Sequence, residues 1–163
     1  MKGLSMAVLL SLLLGTAAAR IAGWLGVDYV DGWPQAIAVG LALMFVMTGV
    51  AHFAPGMRRD MIAIVPPALA RSRAAGDIGP IPGVLVTVTG ILELVGAVGL
   101  LFPPTRVAAA GCLFVLMLAM FPANVYASRM PHPPKSMTSR LSVRSGQEVV
   151  YLAAAVVVAV CSG

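Results

Sequence analysis

Long, uninterrupted apolar runs dominate this sequence. They cover residues 4–19, 33–53, 83–102, 107–126 and 149–161. A helix of about 20 such residues crosses the hydrocarbon core of a bilayer, and runs of this kind are typical of membrane spans. The last run is short, but it becomes long enough if its helix begins at Leu141 or Ser145. The sequence therefore predicts an all-α membrane protein with about five spans.

The composition excludes most soluble classes of protein. Hydrophobic residues make up 60% of the chain and charged residues only 10%, and the mean hydropathy is +0.95. Soluble domains are about 45–50% apolar and about 25% charged. The net charge of +5 does not indicate nucleic-acid binding, because the basic residues lie between apolar runs rather than in one patch. No pair or cluster of cysteines predicts a zinc or dithiol site.

The first apolar run has two interpretations. Lys2, the apolar residues 4–14 and the small residues 17–19 also match the three regions of a secretory signal peptide. Apolar character resumes after Arg20, however, which favours a longer helix. We interpret residues 1–32 as an N-terminal transmembrane helix and an outer loop, with a cleaved signal peptide as the alternative. Residues 33–163 then form a four-helix transmembrane domain.

The basic residues predict an orientation. If the spans alternate in direction, nine of the eleven Lys and Arg residues fall on one side: Lys2, Arg58, Arg59, Arg71, Arg73, Arg129, Lys135, Arg140 and Arg144. Only Arg20 and Arg106 fall on the other side. Basic loops remain in the cytoplasm, so the N-terminus is predicted inside and the C-terminus outside. The preference for Arg, Ala, Gly and Val suggests a GC-rich bacterium, and hence the bacterial inner membrane.

A short amphipathic segment follows the second span. Met57, Met61, Ile64 and Val65 recur at helical spacing, and the charged residues 58–60 occupy the other face. The pattern predicts an interfacial helix near residues 57–65 that covers the bundle and contacts anionic lipid. The alternative is a lid or a docking surface for a soluble partner.

Glu93 lies halfway along the third predicted span. An ionisable residue at this depth is costly, so it is expected to face the bundle interior and to be protonated or paired with a cation. Gly90 and Ala97 share its helical face, which allows a ligand or another helix to approach closely. The two interpretations are a binding or proton-linked role and a hydrogen bond between helices.

Alternating spans bring further polar residues to one end of the bundle, and Glu93 joins them from deeper within it. The predicted set is Thr48, His52, Glu93, Asn124, Gln147 and Glu148. Together they predict a pocket that binds a polar head group while an apolar tail lies among aliphatic side chains. His52 can instead cap its helix, and Asn124 can satisfy backbone groups near Pro122. Cys112 and Cys161 are predicted on the opposite side, where a disulfide is a further hypothesis.

Four motifs within residues 41–128 resemble the DoxX-like membrane proteins: TGVAHF, IVPP, ILELVGAVGLL and FPANVY. The resemblance implies a four-helix unit with the first helix as an addition. It also implies an accessory role in membrane redox or oxidative-stress processes, with quinone or another lipophile as ligand. His52, Glu93 and Asn124 would form the shared site.

Two other functions remain open. One is a small-solute carrier that uses Glu93 as its proton carrier. The other is a non-catalytic scaffold whose basic loops hold a protein partner. Because the chain has no dithiol motif, heme-ligand His pair or nucleotide site, we do not expect an independent redox enzyme.

Overall fold

A computed structural model describes residues 3–70, 81–134 and 141–162. These residues form seven α-helices and no strand: α1 (Gly3–Trp24), α2 (Trp33–Ala51), α3 (Pro55–Ala63), α4 (Pro67–Ala70), α5 (Ile81–Leu101), α6 (Pro103–Arg129) and α7 (Leu141–Cys161). A short 3₁₀-helix at Asp28–Val30 lies between α1 and α2. Five of the helices, α1, α2, α5, α6 and α7, are long and apolar enough to cross a membrane. The predicted all-α fold with five spans is confirmed, and the chain is a multi-pass membrane protein.

Helix α6 departs most from its predicted boundaries. It begins at Pro103 and continues through Pro122 to Arg129, whereas the apolar run predicted residues 107–126. The first residues of a helix have no intrahelical acceptor for their N–H groups, so Pro103 and Pro104 remove no hydrogen bond there. The predicted start at residue 107 therefore lies four residues inside the helix. Helix α7 begins at Leu141, in agreement with the longer of its two predicted forms.

The spans pack around α2. This helix contacts α1, α5 and α7, while α6 contacts both α5 and α7. Helices α2, α5, α6 and α7 thus form a closed four-helix bundle, and α1 packs on α2. All four bundle helices contribute fully buried side chains: Leu41, Met44, Leu100, Leu113 and Val158. This is the predicted architecture of a four-helix unit with a leading helix.

Two glycines allow α1 and α2 to approach closely. Gly15 faces Gly40, and a Cβ added to Gly40 would lie 2.6 Å from the Leu12 carbonyl oxygen. It would also overlap the Thr16 hydroxyl oxygen. Small residues of this kind bring backbones together in membrane helices. Leu12 joins the main hydrophobic core, so α1 is an integral part of the packing.

Arg106 and Tyr29 tie two connections together at one end of the bundle. Arg106 is only 4% exposed, and its guanidinium donates to the Leu100 carbonyl and to the Tyr29 hydroxyl, each at 3.0 Å. The Tyr29 hydroxyl in turn donates to the Leu101 carbonyl. Carbonyl groups at a helix C-terminus need such donors. The loop after α1 and the turn between α5 and α6 therefore lie at the same end.

The amphipathic helix α3 lies at the opposite end, as predicted. Arg58 donates to the Gly83 carbonyl at 3.1 Å, which fixes α3 against the first turn of α5. The described basic residues at this end are Arg58, Arg59, Arg129 and Arg144, and those at the other end are Arg20 and Arg106. The other five basic residues used for the predicted orientation, Lys2, Arg71, Arg73, Lys135 and Arg140, lie outside the described ranges.

Candidate functional site

A cavity of about 360 Å³ lies between α2, α5 and α6, at the end of the bundle where α3 packs. Four of the six predicted site residues line it: Thr48, His52, Glu93 and Asn124. Met61 of α3, together with Ile64 and Val65 just after it, adds apolar wall. The structure therefore brings together polar groups from three spans beneath the interfacial helix.

Glu93 is the most buried polar group of the cavity wall. It is 2% exposed and shares the buried face of α5 with Gly90 and Ala97, as predicted. Its Oε2 atom makes no hydrogen bond within the described residues and lies 3.8 Å from Nδ1 of His52, too far for one. Buried polar atoms are nearly always hydrogen-bonded. An unpartnered carboxyl oxygen in a cavity wall is therefore the feature of this site that most requires an explanation.

Neither polar neighbour of Glu93 donates a hydrogen bond to its Oε2 atom. The Thr48 hydroxyl donates to carbonyl oxygens of its own helix, those of Met44 and Phe45, at 3.2 and 3.4 Å. The His52 Nδ1 lies 2.9 Å from the Thr48 carbonyl oxygen, which assigns the ring proton to Nδ1. The Nε2 atom then carries the lone pair of the neutral ring.

His52 follows the last residue of α2 and is 6% exposed. Burial lowers the pKa of its imidazole, the bond to the Thr48 carbonyl acts in the opposite direction, and the positive charge of Arg58 lowers the pKa further. The ring is therefore neutral near pH 7. A neutral ring does not form an ion pair with Glu93, so the 3.8 Å approach leaves the carboxyl without a counter-charge from His52.

Gly90 determines how closely His52 approaches α5. A Cβ added to this glycine would lie 2.6 Å from the His52 Cβ and 3.1 Å from the Phe53 ring. Real Cβ atoms do not approach so closely, so any larger residue at position 90 would displace the end of α2. Gly90 thus allows close helix packing, as predicted, and it also positions the His52 side chain in the cavity wall.

Residues 41–160 match the family described as Domain of unknown function (DUF8561). The chain belongs to this family. Every residue that lines the cavity lies inside the matched range of this DUF8561 chain, whereas α1 precedes it. No curated protein and no solved structure matches the chain. The resemblance to DoxX-like proteins stays a prediction.

Asn124 connects the DUF8561 cavity to α7. Its side-chain oxygen accepts a hydrogen bond of 3.4 Å from Arg144, a residue that the sequence had indicated only for topology. Thr89 also lines the cavity and was not predicted. It lies one helical turn before Glu93 and therefore on the same face of α5. This spacing could have predicted Thr89 from the sequence.

Gln147 and Glu148 are not part of the cavity wall. Both are partly buried in the first turns of α7, which packs against α6 and α2, whereas the cavity lies between α2, α5 and α6. Of the six predicted residues, four therefore line the cavity and two lie on α7, outside the cavity wall.

The two cysteines of this DUF8561 member, Cys112 and Cys161, are free and exposed on the surface of the bundle. Within the described part of the chain, no group of three His, Cys, Asp or Glu residues is arranged to hold a metal ion.

The cavity combines three chemical properties. The Glu93 carboxyl accepts hydrogen bonds and, when protonated, donates one, so it can bind either a hydroxyl or a carbonyl group. The His52 ring adds a neutral polar edge. Leu116, Ala119 and Met120 of α6 provide an apolar wall for an aliphatic or aromatic portion. Such a site suits a small polar head group attached to an apolar body.

Proposed function

We propose that this chain is a DoxX-like accessory protein of a membrane redox or oxidative-stress process, and that its cavity holds the head group of a quinone or a similar lipophile. The observation that carries the proposal is the unpartnered Oε2 atom of Glu93 in the cavity wall. A buried polar atom without a partner costs about 1–3 kcal/mol. A quinol hydroxyl, or a quinone carbonyl facing the protonated acid, would supply the missing partner.

The size and position of the cavity support a lipophilic ligand. Its volume of about 360 Å³ falls within the range of roughly 300–1,000 Å³ found for small-molecule sites. Apart from the polar residues described above, its walls are apolar, and the amphipathic helix α3 borders it. A membrane-dissolved molecule can reach such a site without crossing water. The redox association rests on the resemblance, whose motifs ILELVGAVGLL and FPANVY contain Glu93 and Asn124.

The same proposal places the protein in a bacterial inner membrane, with α1 retained and the N-terminus in the cytoplasm. The described residues Arg58, Arg59, Arg129 and Arg144 at the α3 end support this orientation, because basic residues collect on the cytoplasmic side. The packing of Gly15 against Gly40 supports retention of α1. The cavity would then open near the cytoplasmic leaflet.

A thermal-shift experiment tests the proposed site. Purified protein in mild detergent is titrated with a short-chain ubiquinol, and the unfolding midpoint is followed by near-ultraviolet circular dichroism. We expect the midpoint to rise by several degrees, because a ligand that binds only the folded state stabilises it. Glu93→Gln should lose most of this shift. The matched control Asp28→Asn, at the other end of the molecule, should keep it. Equal shifts in both variants would show that Glu93 does not contribute to ligand binding.

A second candidate function is a carrier for a weakly acidic solute, with Glu93 carrying the proton. The observation that favours it is the approach of the buried Glu93 carboxyl to the His52 ring, at 3.8 Å. Intramembrane carboxyl and histidine groups of this kind form proton relays in transporters. In liposomes, a carrier would produce solute flux that follows an imposed pH gradient, whereas an accessory protein or a scaffold would not.

A further inference from the structure

A second cavity lies at the opposite end of the bundle from the Glu93 site. It has a volume of about 440 Å³ and is formed by α1, α2 and α7. Its walls are almost entirely apolar and include Leu13 and Ile21 of α1, Ile37 of α2, and Val150 and Ala154 of α7. It extends from the middle of α1 to the end of that helix, and we call it the α1 groove.

The positively charged side chain of Arg20 lies at the end of the α1 groove. The Arg20 guanidinium lies 5.1 Å from the centre of the Trp24 ring and 5.5 Å from the centre of the Trp33 ring. Both rings also line the groove. Tryptophan side chains collect at the level of lipid head groups, so this end of the groove is expected at the membrane surface. The apolar part then extends into the hydrocarbon region.

The hydrogen-bond donors of Arg20 are incompletely used. Its Nε and Nη1 atoms are buried and make no hydrogen bond within the described residues. Nη1 lies 3.6 Å from Oδ1 of Asp31, beyond hydrogen-bond distance, and the Asp31 side chain is 71% exposed. Ion pairs with a solvated partner are weak. The guanidinium is therefore held in place by two rings while its counter-ion is easily exchanged.

We propose that the α1 groove binds an anionic glycerophospholipid, with the phosphate on Arg20 and one acyl chain along the apolar walls. A phosphate offers several acceptor oxygens to the planar donors of an arginine, which makes it a better partner than one distant carboxylate oxygen. An anion joined to an apolar chain matches a cation beside an apolar groove. The proposed phosphate contact, Arg20, lies on α1, outside residues 41–160, and does not depend on the function proposed for the Glu93 cavity.

The two tryptophans of the chain, Trp24 and Trp33, both flank the site, so intrinsic fluorescence reports on it alone. The protein is reconstituted in phosphatidylcholine vesicles that contain either brominated phosphatidylglycerol or brominated phosphatidylcholine at equal mole fraction. Bromine quenches tryptophan on contact. We expect the anionic lipid to be preferred by about fivefold, the effect of one basic residue near an anionic surface.

Three variants separate the contributions. Arg20→Gln should abolish the preference, and Arg20→Lys should retain part of it because the charge remains. Asp31→Asn should increase the preference, because it removes the competing carboxylate. The matched control Arg59→Gln, a basic residue at the other end, should leave the preference unchanged. Ala154→Phe should reduce quenching by filling the groove while Arg20 stays intact.

Equal quenching of the wild-type protein by the two brominated lipids would overturn the proposal. Loss of the preference on adding millimolar inorganic phosphate would also overturn it, because the site would then serve a free anion. If Arg20→Gln fails to fold, Asp31→Asn still tests the proposed phosphate contact, because this variant keeps the arginine. An unchanged or lower preference in that variant would contradict the proposed phosphate contact.

Discussion

Replacing Glu93 with leucine is expected to make the ligand-free protein more stable and to abolish ligand binding. The carboxyl is 2% exposed and its Oε2 atom has no hydrogen bond within the described residues. Removing a buried unpartnered polar group recovers about 1–3 kcal/mol, and leucine fills a similar volume. The unfolding midpoint in detergent should rise by a few degrees, while the shift on adding a short-chain ubiquinol should disappear.

The opposite change in stability would identify a structural role. If Glu93 served only to link helices by a hydrogen bond, Glu93→Leu would lower the midpoint and Glu93→Gln would largely preserve it. A binding role predicts a higher midpoint for Glu93→Leu, because the unpartnered oxygen destabilises the ligand-free protein. A lower midpoint for Glu93→Leu would therefore contradict our interpretation of the cavity.

Replacing Gly90 with alanine is expected to lower both stability and ligand binding. The new Cβ would lie 2.6 Å from the His52 Cβ, an atom next to the backbone that cannot rotate away. Helices α2 and α5 must then separate, at a cost of about 1–3 kcal/mol for an overpacked contact. Because His52 moves with α2, the ubiquinol shift should fall as well. Both effects are measured in the same thermal-unfolding experiment.

Gly111→Ala provides the matched control. Gly111 lies within α6, and a Cβ added there would have no atom within 4 Å. Alanine is favoured over glycine inside a helix by about 0.5–1 kcal/mol, so this variant should be as stable as the wild type or more so. It should also keep the ubiquinol shift. Equal losses in the two variants would mean that Gly90 has no special contact with His52.

The fold was largely predictable from the sequence because the bilayer limits the choice. Runs of about 20 apolar residues can only be spanning helices, and the basic residues indicate which ends lie together. The start of α6 was predicted incorrectly, because hydropathy does not show that Pro103 and Pro104 suit a first helical turn. The apolar residues after Arg20 correctly indicated a first helix longer than the run that ends at residue 19, and this helix continues to Trp24.

The sequence could predict the end of the bundle at which the site residues lie. It could not predict which helices face each other there. Alternating helices place Thr48, His52, Glu93 and Asn124 at one end, and the structure places all four in one cavity. The same reasoning included Glu148, although α7 does not border the cavity. Which helices are neighbours depends on packing contacts such as that of Gly90 with His52. Apolar spans carry little sequence signal for such contacts.

Mass spectrometry of the gently purified protein tests the central claim most directly. The wild-type chain and the variants Glu93→Gln and His52→Ala are purified in mild detergent, and their co-purified small molecules are quantified. We predict a stoichiometric quinone or similar lipophile in the wild type and its loss from both variants. Equal content of that lipophile in all three proteins would contradict a ligand site at Glu93 and His52.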